Sequence, residues 1–176
     1  KAFIDASATE NGNGGTVVLW SNIKDPNSVT KAQGTIFAKG GSISGDGGKI
    51  ETSGFELLIQ GIKVKTDSPN GASGIWLLDP YDYVIDSSVA STISNALTGG
   101  TTVTVSTGTS ISSYGSSGSN LDSGSIYVNA SISGSGSGNL SLEAGKFIYF
   151  NADVSTTGNQ SYSGRVFIKK ASLSLS

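Results

Sequence analysis

The chain has 176 residues, 11 basic and 13 acidic side chains for a net charge of −2, and no cysteine, histidine or methionine. That inventory excludes a disulfide frame, a thiolate metal site and histidine acid–base chemistry, and a pI near 5.0 argues against nucleic acid as a partner. Glycine (25) and serine (32) form about a third of the chain, but low charge and recurring Val, Ile and Thr point to ordered β-structure with many turns rather than disorder.

Taken in order, short apolar runs follow glycines at a fixed offset. Gly15 precedes Val17 and Leu19, Gly34 precedes Ile36 and Ala38, and Gly48 precedes Ile50. Leu57 and Ile59 come next, then Trp76 and Leu78 within Gly74–Ile85, the most apolar run of the chain. After a second set at Val103, the pattern returns with Ile126 and Val128, Ile148 and Phe150, and Val166 and Ile168. Residues two apart on a strand share a face, so each run has one apolar side. Runs starting at Val17, Ile36, Leu57 and Trp76, and again at Val103, Ile126, Ile148 and Val166, are 18 to 23 residues apart. Residues 35–44 (TIFAKGGSIS) also resemble 125–133 (SIYVNASIS), each followed by a second strand, KIETSG or NLSLEAG, and a third, LLIQ or IYFN.

This spacing predicts an all-β solenoid of parallel rungs, about 20 residues each, whose inward column is formed by the pairs just named. An antiparallel sandwich is the competing fold, but its hairpins would not share such a register. Residues 1–176 read as one segment, with an irregular insertion or bend around 79–100 where Asp79-Pro80 interrupts the register. Ser88–Leu97 is the one plausible helical patch, of one or two turns. The missing methionine marks the stretch as a fragment or a processed piece of a longer product.

Candidate chemistry is sparse. Asp79, Asp82 and Asp86 could hold Ca²⁺, and Gly45-Asp46-Gly47-Gly48 resembles a calcium turn, but Asp-Pro and Gly-Asp pairs serve turns equally well. Arg165 is the only arginine, and residues 91–176 hold seven charged side chains, too few for the carboxylate clusters of polysaccharide-cleaving enzymes. The sequence therefore predicts no catalytic residues, no cofactor and no metal. Asn129 and Asn151 follow matching strands and are expected to stack amide on amide. Asn129, Asn139 and Asn159 head glycosylation-type triplets, a pattern that arises by chance in a serine-rich chain. Phe37, Tyr127 and Tyr149 fall in the outward register, available for glycans or a neighbouring rod, or packed within the rod itself.

The motifs IDASATENGNGGTVVLWSN (4–22), GTIFAKGGSISGDGGKIETSG (34–54) and GASGIWLLDPYDYVI (71–85) are similar to the passenger region of filamentous-haemagglutinin-like exoproteins, the adhesins of bacterial two-partner secretion. STISNALTGGTTVTVST (91–107) and NLSLEAGKFIYFNADVST (139–156) extend the resemblance over most of the chain. It implies an internal or C-terminal segment of a right-handed parallel β-helix, secreted or displayed on a bacterial surface. The implied role is non-enzymatic: adhesion or extracellular matrix, with host or neighbouring-cell surfaces and glycans as partners. The alternative is a subunit that polymerises through its open ends into an extracellular filament. The family's secretion-recognition region is not evident here.

Overall fold

The computed structural model describes residues 2–107, 124–170 and 173–176. Among these the fold is mostly β-strand, with all strand pairing parallel and one helix. In chain order the strands are β1 (Phe3–Asp5), β2 (Thr16–Trp20), β3 (Val29–Lys31), β4 (Thr35–Phe37), β5 (Lys49–Gly54), β6 (Glu56–Leu58), β7 (Lys63–Lys65), β8 (Ile75–Pro80) and β9 (Tyr83–Ile85). Helix α1 (Ser87–Thr98) follows, then β10 (Thr102–Ser106), β11 (Ile126–Val128), β12 (Ile132–Gly134), β13 (Leu140–Phe150), β14 (Val154–Thr156) and β15 (Gln160–Ile168).

The strands fall into three columns that each lap of the chain visits in turn. The first column stacks β2, β5, β8 and β10 with the first parts of β13 and β15. The second stacks β9 and β11 with the later parts of β13 and β15, so eight strands curl into one half-barrel sheet. A separate pair, β3 and β6, precedes β9 in the lap order of that column. The third column holds β1, β4 and β7 on one side of α1 and β12 and β14 on the other.

Register decides what lies inside. Val17, Ile50, Trp76, Val103 and Leu140 stack as one row of the first column, and Leu19, Thr52, Leu78, Val105 and Leu142 as the row beside it. Because the side-chain period is two, these rows face one way along the whole column. Trp76 is fully buried, and its indole Nε1–H donates to Thr52 Oγ1 at 3.1 Å, so the polar residue in the row satisfies the one polar atom of the largest. Where these strands begin, backbones approach closely: a Cβ on Gly48 or Gly74 would collide with the carbonyl of the glycine one lap earlier.

Helix α1 takes a strand's place in the third column. Asp86 caps it, its Oδ1 accepting from Ser88 N at 2.9 Å and Val89 N at 2.8 Å. Its apolar stripe, Val89, Ile93, Ala96 and Leu97, is buried where strand residues point elsewhere in the column. Hydroxyls then replace the missing strand carbonyls. Ser94 Oγ and Thr98 Oγ1 accept from the backbone N–H groups of Ser133 (2.9 Å) and Ser135 (3.3 Å) beside β12. Four helix residues rise about 6 Å and two strand residues about 6.6 Å, so an i, i+4 hydroxyl pair matches every second amide of a strand edge. On the opposite side, Thr92 Oγ1 accepts from Gly61 N at 3.2 Å.

Several sequence expectations change. The advance per lap in the first column is 33, 26, 27, 37 and 20 residues, so a period of about 20 holds only near the end of the chain, where the second column also advances by 22 and 18. Val17 and Trp76 share a column, but Ile36 lies in the third and Leu57 in the second; the 20-residue spacing linked strands of different columns. Ile126, Ile148 and Val166 do stack directly. Asp79-Pro80 does not interrupt the register, because Asp79 pairs with Ser53 and Pro80 with Gly54. The helix runs 12 residues, longer than the one or two turns expected. Val166 and Ile168 are 44% and 57% exposed rather than core, since no described strand lies beyond β15. Of residues 166–174 at the end of the chain, Ala171 and Ser172 lie outside the described residues.

Replacing Trp76 by alanine is expected to destabilise the chain by about 3–5 kcal/mol in urea denaturation, the range for emptying a large aromatic site. A loss below about 0.5 kcal/mol would place Trp76 outside the cooperative core.

Candidate functional site

The expected core residues Ile36, Ala38, Leu57, Ile59, Trp76, Leu78, Ile126, Val128, Ile148 and Phe150 are buried, Val17 nearly so, and Leu19 partly. The expected surface aromatics separate. Phe37 lies in the third column, edge-to-face with Phe3 at 5.5 Å, whereas Tyr127 and Tyr149 lie in the second. Tyr127 stacks on Tyr149 at 4.9 Å and Tyr149 on Phe167 at 5.4 Å, with Lys169 Nζ 4.6 Å over the Tyr149 ring. These rings spend their faces on one another, which leaves mainly edges to a ligand. The stripe is therefore foremost a brace between laps.

Two clefts flank the place where α1 enters the stack. One, of about 570 Å³, separates α1 from β7 and is lined by Ile62, Val64, the lysines Lys63 and Lys65, and helix residues Ser88, Ser91, Thr92, Asn95 and Ala96. The other, of about 430 Å³, lies between β6 and β9. Its floor is Leu57, Tyr83 and Val89; Glu56, Asp82 and Asp86 stand on its rim with Gln60; and Phe55 and Tyr81 stack at 4.7 Å at one end. Tyr83 is 4% exposed, and its hydroxyl has no hydrogen-bond partner among the described residues. Burial, and secondarily the Asp86 carboxylate, push the Tyr83 phenol well above its ordinary pKa.

The three neighbouring carboxylates do not converge. Asp79 is buried in β8, Asp82 Oδ1 accepts from Ser125 N at 2.7 Å, and Asp86 caps the helix. Asp46 works as a turn residue, its Oδ1 accepting from Ala72 N one lap on at 2.8 Å. Asn151 Nδ2 donates to Asn129 Oδ1 at 2.7 Å, the amide-on-amide stack between adjacent laps. Asp153 is held below its ordinary pKa by Lys170, which hydrogen-bonds its side chain, and by Ser174 N–H.

The cleft between β6 and β9 escaped the sequence reading, yet it carries a signal. Gly54-Phe55-Glu56-Leu57-Leu58 and Pro80-Tyr81-Asp82-Tyr83-Val84 match position by position, apolar and acidic alike, at the 26-residue offset of that lap. Searching for a 20-residue period passes over it. No family model, curated protein or solved structure matches the chain. No helix among the described residues is long and apolar enough to cross a membrane.

Tyr83 gives a pH test. Unfolded tyrosine ionises near pH 10, whereas folded Tyr83 keeps its proton, and burial likewise lifts Tyr162 to about 12. The stability these phenols contribute is complete below pH 10 and is lost as pH rises, by up to about 1.4 kcal/mol per pH unit for Tyr83. Tyr83→Phe is expected to shallow the fall of the urea midpoint between pH 9 and 11; an unchanged alkaline slope would contradict it.

Proposed function

We propose that the chain is a rod-forming, non-enzymatic segment of a secreted bacterial surface protein of the filamentous-haemagglutinin-like kind, acting in attachment or extracellular matrix. The observation that carries this reading is the first column, in which six strands from successive laps stack parallel and in register over two largely apolar rows. In this reading the three columns are the faces of a right-handed parallel β-helix. Interlap hydrogen bonds, the Asn129–Asn151 pair and the Tyr127–Tyr149–Phe167 stack supply axial stiffness. Its partners are host or neighbouring-cell surfaces, through glycans or matrix components.

A filament-forming subunit is the second reading. Phe3 and Ile4 at one end of the stack, and Val166, Phe167 and Ile168 at the other, are exposed beside strands paired on one side only. Either further laps or another copy of the chain would cover such edges. Negative-stain electron microscopy of native cell-surface material tests both. Thin rods rooted in the cell envelope are expected for the adhesive segment, and filaments with a fixed axial repeat for the polymer; compact particles would refute both.

A further inference from the structure

The cleft between β6 and β9 is an interruption in a ladder. The register that pairs Gly54 with Pro80 would, if continued, set Leu57 opposite Tyr83 and Leu58 opposite Val84. The two strands nevertheless do not pair, and their Cα traces are mostly more than 8 Å apart, against about 4.8 Å in a ladder. Their peptide groups are set for partners across the gap. Glu56 N donates to Ser28 O and Leu58 O accepts from Ala32 N, so Glu56 and Leu58 turn toward β3 and Leu57 between them turns toward the gap. Tyr83 N donates to Ser125 O and Ile85 O accepts from Asn129 N, so Val84 turns toward the gap from the other side.

We propose that this gap is a docking slot for an extended basic peptide, which enters between β6 and β9 as an added parallel strand. Two unpaired strand edges offer donors and acceptors at the β-period, the arrangement used in strand addition. Charge selects the occupant: Glu56, Asp82 and Asp86 line the slot, and no lysine or arginine does. The peptide's outward residues are therefore Lys or Arg. Its inward residues are small and aliphatic, to rest on Leu57 and Val89. The chain's own Ile62-Lys63-Val64-Lys65-Thr66 has that alternation, with lysines exposed and Ile, Val and Thr buried.

The probe is the synthetic peptide acetyl-Ile-Lys-Val-Lys-Thr-amide, with its Glu-for-Lys counterpart and a version N-methylated at both lysines, added to the full chain. Binding of the first peptide is expected to slow amide exchange at Leu57 and Val84. The acidic and N-methylated peptides are expected to bind at least tenfold more weakly. Glu56→Lys, at an exposed position, should weaken binding about threefold, and added salt should do the same. Val84→Pro, which removes one slot-facing N–H from a residue with an exposed side chain, should abolish binding while circular dichroism stays unchanged. No binding at millimolar peptide, equal binding of the N-methylated form, or protection away from Leu57 and Val84 overturns the proposal. So does a neutral oligosaccharide that occupies the cleft while the peptide does not.

Discussion

Parallel strands stack at about 4.8 Å, and an α-helix with its side chains is about 10 Å across; fitting one into the other governs this molecule. Laps of strands can follow one another indefinitely at the smaller spacing. Once α1 takes a strand's place in the third column, the laps on either side must spread there while β5 and β8 still touch in the first. The spread explains both clefts. It ends the β1–β4–β7 sheet, starts the β12–β14 sheet afresh, and leaves β6 unpaired with β9.

In the third column the wedge is tolerated because the edges it exposes there are met by side chains. Ser94 and Thr98 meet β12, Thr92 meets the turn before β7, and Thr101 Oγ1 accepts from Thr66 N at 3.0 Å. A helix lined with leucine on those faces would leave the amides of Gly61, Ser133 and Ser135 without these acceptors. The same economy recurs in the strands, where Thr30 Oγ1 donates to Ser53 O at 2.7 Å. Serine and threonine, which make the sequence look featureless, are the hydrogen-bond acceptors and donors of its irregular places.

The β-rich, parallel character was legible because the inward residues of each strand recur at every second position, as in Trp76 and Leu78 or Ile148 and Phe150. Lap length was not, because nothing in a strand's alternation tells which column it belongs to. Ile36 and Val17 have the same local pattern and lie on different faces. KIETSG and NLSLEAG were rightly matched, both lying in the first column, but TIFAKGGSIS starts in the third and SIYVNASIS in the second. The helix was underestimated because Val89, Ile93 and Leu97 gave a narrow stripe among β-branched and hydroxyl residues of modest helix propensity. Of the candidate site, Asp82 and Asp86 stand out in the sequence as a cluster with Asp79, but nothing there shows that Glu56 and Phe55 face Asp82 and Tyr81 across a lap.

The break between β6 and β9 also changes how the chain bears load. Among the described residues, β5–β8 is the sole strand ladder joining the lap before the helix to the lap that contains it, whereas two or three ladders join the full laps on either side. A pull along the stacking axis concentrates its tension on that one ladder. The helix thus marks the joint at which an axial pull meets the least strand-to-strand resistance.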